Sequence, residues 1–375
     1  MTLFGRSKFK MLECQIDKLK EGDRLAKAVI GKNGMIILCE GTELTTFYIK
    51  RLKEMGVNRV LVKHCPFNVQ TQPAPSVVLP PTTAKQRNDL YGELVNRLNR
   101  HVFCSEHGDS VKDRRFKRRY RRALADALAH PSVADWMNKL EQFDELIFGH
   151  AVNVSILSTM IGDEYGYTEA QLLELLLGSL LFDVGMTIMP RELVTGHCTL
   201  SDSDRHLLNQ HAELGYRLLA DIKGMPWQSA VVSLAHHERF DGSGYPFGTK
   251  GNDIPEYARI VALADSYDAL TSPRRYRSSY RADDVVEFLY GAGNYYFDAS
   301  LVKLFLQRLK AFPLSSVLTL SSGQTGIVTS YRSSIAHRPV VRIITEASGQ
   351  SVGTPYELDL SRSSTITVLH AASQA

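Results

Sequence analysis

The chain has 375 residues, 44% of them apolar, with a net charge of +4. This is enough for two or three domains with a sizeable core, and it excludes a disordered or fibrous chain. The small positive excess is local: Lys112 to Arg122 holds eight basic residues and one acid, and the remainder carries 36 basic against 39 acidic residues. A generally basic, nucleic-acid-coating protein is therefore excluded.

Five cysteines (Cys14, Cys39, Cys65, Cys104, Cys198) are scattered and odd in number, without a C-x-x-C pair. That argues against a disulfide framework and for a reducing compartment. The first residues lack the apolar core of a signal peptide. The longest apolar run, Leu172 to Phe182, is about half a membrane span and contains Glu174. A cytoplasmic protein with no membrane span is expected.

In chain order, residues 1–64 predict a small α/β domain. Ala26 to Ile30 and Met35 to Leu38 flank Asn33-Gly34, a hairpin signal. Thr45-Thr46 then opens a short helix, Gly56 ends it, and Val60 to Val62 returns as a strand. Residues 65–85 hold five prolines and predict an extended, poorly packed linker. From 86 to 312 the patterning is helical. Phe116, Tyr120, Leu124, Ala127 and Leu128 fall at helical spacing. The basic residues around them form either a solvated face or an anion-attracting surface, with no strong case for DNA. Residues 313–375 predict a β-rich segment, with strands at Val317–Leu320, Gly326–Val328, Pro339–Ile344 and Ile366–Leu369.

The helical region carries the chemistry. Two adjacent histidines, His236 and His237, end an apolar run and precede Glu238, Asp241 and a turn rich in glycine. Neutral imidazole is the commonest protein metal ligand, although a lone pair can equally be two surface histidines. Other ligand types surround them in order: His150 at the start of a helix, Asp183 after an apolar run, His211, then Asp265 and Asp268 one turn apart. Four histidines and one or two carboxylates can hold two divalent ions, one carboxylate bridging, in a site that activates water and clamps a phosphate oxygen. Mixed His and carboxylate ligation favours a transition metal over magnesium or calcium.

His236-His237-Glu238-Arg239-Phe240-Asp241-Gly242-Ser243-Gly244-Tyr245-Pro246, followed by Ile254-Pro255, Ala258-Arg259-Ile260 and Ala264 to Thr271, resembles the bacterial HD-GYP domain over roughly residues 140–312. This is the metal-dependent phosphohydrolase family associated with cyclic di-GMP. The resemblance implies a mainly α protein: an all-helical HD-type core flanked by the N-terminal α/β unit and the C-terminal β cap. It implies one metal on His150, Asp183 and Asp265, and another on Asp183, His211, His236 and His237. The expected cofactor is one or two divalent ions, Fe or Mn. Asp183, His236, His237 and Asp265 would be catalytic. Tyr245, Asp268, Arg274 and Arg277 would bind substrate, guanidinium forks suiting phosphate. The substrate would be cyclic di-GMP, opened to pGpG or GMP. A diguanylate-cyclase (GGDEF-type) partner and a homodimer are further expectations.

One departure matters. Where the family has His-Asp followed by x-Gly-Lys, this chain reads Phe182-Asp183-Val184-Gly185-Met186. Arg275 also stands where a proline is usual. Phe182 cannot ligate a metal, and Met186 cannot give a proton or hold a phosphate. Two readings follow: a phosphodiesterase with a reduced metal site, or a catalytically inactive module that binds cyclic di-GMP or a partner. A hydrolase of another phosphoester is a third.

Overall fold

The computed structural model describes residues 11–372 apart from 20, 22, 31–35, 39–41, 43, 64–74, 102–110, 197–199, 273–278, 310–311, 313, 333–336 and 364. The N-terminal unit comprises β1 (Met11–Gln15), β2 (Arg24–Leu25), β3 (Val29–Ile30), β4 (Ile36–Leu38), α1 (Thr46–Glu54) and β5 (Arg59–Lys63). β1 and β2 flank β5 antiparallel, and β3 pairs with β4. Thr45 caps α1 by accepting from the Tyr48 amide at 3.3 Å, and Gly56 leaves it at positive φ. The Asn33-Gly34 turn lies outside the described residues, but the strands on either side of it pair as expected.

The described end of the segment before the bundle is packed, and residues 65–74 of the expected linker lie outside the described residues. Its last residues, 75–83, have no regular structure, yet Val77 and Leu79 pack on the helical core. The Thr82 amide donates to Asp135 Oδ1 at 2.7 Å, and Asn138 donates to the Thr82 hydroxyl at 2.8 Å. Proline removes donors and stiffens the chain, but it leaves apolar side chains free to pack.

The helical region runs α2 (Ala84–His101), α3 (Val111–Ala129), α4 (Pro131–Phe143), α5 (Glu145–Tyr165), α6 (Glu169–Leu181), a 3-10 turn (Val184–Ile188), α7 (Arg191–Thr195), α8 (Asp202–Asn209), α9 (His211–Ala220), α10 (Trp227–Ala235), α11 (Glu256–Thr271), α12 (Ala282–Gly291) and α13 (Ala299–Leu306). α5 is the axis. It starts at Asp144, whose carboxylate accepts from the Leu146 and Ile147 amides, and ends at left-handed Gly166. His150 therefore sits in its second turn, not at its start as expected. α6 and α11 pack on α5, α10 packs on α6 and α9, and one continuous apolar cluster runs through them. Two apolar stretches, Glu145–Tyr165 and Glu169–Ile188, are long enough to cross a membrane, but they are 72% and 67% buried inside this bundle.

The basic helix α3 turns Phe116, Tyr120 and Leu124 inward. Part of its charge is spent internally: Arg119 reaches Asp163, Glu169 and the Tyr167 carbonyl, and Lys117 is buried. Arg114, Arg115, Arg118 and Arg122 remain exposed.

A five-stranded antiparallel sheet closes the chain, in the order β10-β6-β7-β8-β9: β6 (Val317–Leu320), β7 (Thr325–Ser330), β8 (Val340–Thr345), β9 (Ser351–Asp359) and β10 (Val368–Ala372). The sequence reading missed β9. It contains Gly353 and Pro355, which disfavour an interior strand, but β9 is an edge that pairs only with β8.

Candidate metal centre and cleft

The centre forms where α6, α9 and α10 end or begin together. Past Leu181 the chain leaves α6, and Ser233 of α10 fixes the exit by donating to the Phe182 carbonyl at 2.6 Å. The next turn carries Asp183 and Gly185. A Cβ at 185 would stand 2.0 Å from the His211 carbonyl oxygen, so only glycine lets this turn lie on the first residue of α9. Asp183 Oδ1 thereby comes 3.4 Å from His211 Nε2 and 3.7 Å from His236 Nε2.

The ring orientations are set from behind. His211 Nδ1 donates to the Leu208 carbonyl at 2.6 Å, and His236 Nδ1 to the Ser233 carbonyl at 2.8 Å. Carbonyls only accept, so both hydrogens sit on Nδ1 and both Nε2 atoms present lone pairs. Those lone pairs face each other at 3.4 Å, beside a buried Asp183 Oδ1 that has no hydrogen-bond partner among the described residues. Three acceptors aimed at one another with no proton between them is the pattern a cation would satisfy. His237 joins them: the ligand atoms of His211, His236 and His237 all lie within 4.8 Å of one another, and the cluster could hold a metal ion. Burial pushes the pKa of His236 down and that of His237 well down, so both rings stay neutral, as metal ligation needs.

The loop after the paired histidines is tied back to them. Glu238, which the sequence names without a role, is buried and accepts from the Phe247 and Thr249 amides at 2.8 and 2.9 Å. Burial raises its carboxyl pKa. Asp241 accepts from the Ser243 amide at 2.8 Å. A Cβ on Gly244 would meet the His237 carbonyl oxygen at 2.3 Å, so the turn can fold flat only with glycine there. The result is Tyr245 stacked on His237, ring centroids 4.7 Å apart. Burial, then the carboxylates of Asp183 and Asp265, push its hydroxyl pKa up.

A second cluster lies alongside. His150 of α5 sits between two carboxylates of α11, Nε2 on Asp265 at 2.9 Å and Nδ1 on Asp268 at 2.7 Å. Burial lowers its pKa, but the two carboxylates outweigh it and raise the pKa to about 10, so His150 is an imidazolium. Asp265 is correspondingly held below the ordinary carboxylate range: burial opposes this, and His150 prevails. Both nitrogens of His150 are thus used, and it pairs with Asp265 and Asp268 rather than with Asp183. Phe182 explains the separation. Its buried ring stands edge-on to His150 (5.8 Å) and to His236 (4.9 Å), between the two clusters.

Asp268, expected at the substrate, lies in the cleft wall. It is 1% exposed and accepts from His150, Asn153 and Ser272, so it positions His150 from behind. Arg274 and Arg277 lie outside the described residues. A cleft of about 750 Å³ opens over both clusters, with His150, Asp183, His237 and Asp265 in its wall and Met186 beside them. Arg97 of α2 also lines it. No local motif marks that residue.

Residues 135–301 match the family model described as HD domain, and residues 317–375 match that of the KOW domain associated with HD domain. A cyclic di-GMP phosphodiesterase of Pseudomonas aeruginosa is 29% identical over 238 residues, 64% of this chain and 57% of that protein. The cyclic di-GMP phosphodiesterase response regulator RpfG of Xanthomonas campestris is 30% identical over 176 residues, 46% of this chain and 47% of that one. A cyclic di-GMP phosphodiesterase of Thermotoga maritima is 30% identical over 177 residues, 47% of this chain and 48% of that one. The chain spans about half the length of these relatives.

Proposed function

Because this chain belongs to the HD-domain family and carries the HD-GYP signature, we propose that it is a metal-dependent phosphodiesterase that hydrolyses cyclic di-GMP to pGpG or GMP with one divalent ion per chain. The observation that carries this reading is the convergence of Asp183, His211, His236 and His237 with unshared lone pairs turned inward. Those four residues would hold the ion, Fe or Mn by their mixed nitrogen and oxygen character. When bound, it supplies Lewis acidity toward a phosphoryl oxygen and activation of water.

The chain's own residues do the rest. Hydrolysis forms a bond from water oxygen to phosphorus, breaks the bond from phosphorus to O3′, and returns a proton to that leaving oxygen. Asp183 is the only carboxylate in the four-residue set, and it orients the incoming water. His150, fixed by Asp265 and Asp268, places positive charge on the cleft wall. Tyr245 holds the His237 ring by stacking and faces the nucleotide. Arg274 and Arg277 take substrate phosphate. The setting we infer is the cytoplasm, with the Tyr245 loop as the contact for a GGDEF-type partner.

A specific observation favours a second reading, an inactive module that binds cyclic di-GMP. Phe182 fills the space between His150 and His236, where a second ion would need a ligand. Chromatographic product analysis on protein purified without oxygen and loaded with Fe or Mn separates the two. Appearance of pGpG, abolished by Asp183→Asn, supports the enzyme. Nucleotide binding with no product from the loaded protein supports the module. Turnover of other phosphoesters in preference to cyclic di-GMP would overturn the substrate assignment.

A further inference from the structure

The cleft wall is acidic. Asp144, Glu145, Asp183, Asp265 and Asp268 line it, and among the described residues a single Lys or Arg faces them, Arg97. It lies on α2, ahead of the stretch 135–301 that matches the HD domain, so the motif residues do not specify it.

Its guanidinium is held on three sides. It lies over the Phe148 ring at 5.6 Å from the centroid. Glu93, one turn earlier, accepts from Nε at 3.1 Å and sits 3.1 Å from Nη2. Gly149 makes room for the remaining corner: a Cβ there would stand 2.9 Å from Nη1. Phe148, Gly149 and His150 are consecutive, so the helix that presents His150 also sets the position of the guanidinium. Among the described residues Nη1 donates to none, and the side chain is 23% exposed, open to the cleft.

We propose that Arg97 is the phosphate anchor of this cleft, its Nη1 donating to a non-bridging oxygen of a phosphodiester that reaches from α2 to the Asp183 and histidine set. This rests on the reading above that the cleft takes a phosphodiester. An anion entering a wall with five carboxylates depends on the cations beside them, and Arg97 adds a fixed one to His150 and the ion. A guanidinium with one edge on Glu93, one face on an aromatic ring and one corner free is preorganised to donate to phosphate.

The test uses the full chain loaded with metal, with inorganic phosphate and cyclic di-GMP as separate probes in titration calorimetry. Arg97→Gln should keep the metal content and the melting temperature and weaken both ligands roughly 10- to 100-fold, the loss of one charge-assisted bond. Glu93→Gln removes the competing carboxylate and should tighten phosphate severalfold, which a purely structural role for the pair would not do. Phosphate binding by Arg97→Gln equal to that of wild type overturns the proposal, as does wild-type protein that takes no phosphate. If Arg97→Gln does not fold, Glu93→Gln decides, and unchanged affinity there overturns it. Wild-type protein that binds phosphate but not cyclic di-GMP contradicts the nucleotide reading, while the comparison of the two proteins in phosphate still decides for or against Arg97.

Discussion

Adding one methyl group at Gly185 should empty the metal centre while leaving the bundle folded. The new Cβ of Gly185→Ala would lie 2.0 Å from the His211 carbonyl oxygen and 2.8 Å from the Gly215 nitrogen, both backbone atoms that no rotamer change can clear. Relief to the 3.0 Å below which real contacts are essentially never seen requires the turn and α9 to part by about 1 Å. The turn carries Asp183 and α9 carries His211, so the parting falls between two ligands. Metal sites tolerate about 0.2 Å of error in ligand distance, so a shift of this size should cost the ion. Overpacking of this kind costs roughly 1–3 kcal/mol, which is less than the 5–15 kcal/mol of an ordinary domain and lowers the melting temperature by several degrees. Gly92→Ala on α2 is the control. Nothing lies within 4 Å of its added Cβ, and it should gain about 0.5–1 kcal/mol with metal content unchanged. The assay is metal analysis by plasma mass spectrometry beside circular-dichroism melts. Full metal content in folded Gly185→Ala would refute the assignment of Asp183 and His211 to one ion.

Phe182→His together with Met186→Lys should raise phosphodiesterase turnover, because it puts a ligand and a cation where the cleft has an aromatic ring and a thioether. Equal turnover in wild type and double variant, each with its metal measured, would count against Phe182 as the limiting feature. Metal retention should resist mild acid. Burial lowers the pKa of His236 and lowers that of His237 well below the ordinary imidazole value, so protons compete less with the ion for these two rings. Occupancy after dialysis at about pH 6 should match that at about pH 7.5, whereas ordinary imidazoles would be mostly protonated at the lower value. Loss of metal in step with a pKa near 6.5 would contradict this.

The chain itself shows much of the site. Ligands packed into a continuous signature, His236 to Pro246, are legible because the turn chemistry of Asp241, Gly242 and Gly244 is local. Asp144 was legible as a helix cap and was passed over, which put the start of α5 at His150. The pairing of His150 with Asp265 and Asp268 was not legible, since those partners lie 115 and 118 residues away and meet only through the packing of α5 on α11. The support that Asp268 gives His150 was not legible either, since spacing does not show which face of α11 meets α5. Arg97 had no signal at all. A lone arginine on an amphipathic helix looks like surface until Gly149 and Phe148 are seen beneath it. The place of Phe182 between the two clusters was not legible, because it depends on the ring contacts to His150 and His236.

Asp183, His211, His236 and His237 should hold a single ion, with His150 and Asp265 engaged to each other. Metal stoichiometry on protein purified without oxygen tests it most directly. About one divalent ion per chain is expected, lost in Asp183→Asn and kept in His150→Ala. Two ions per chain, or loss of the ion on replacing His150, would contradict it.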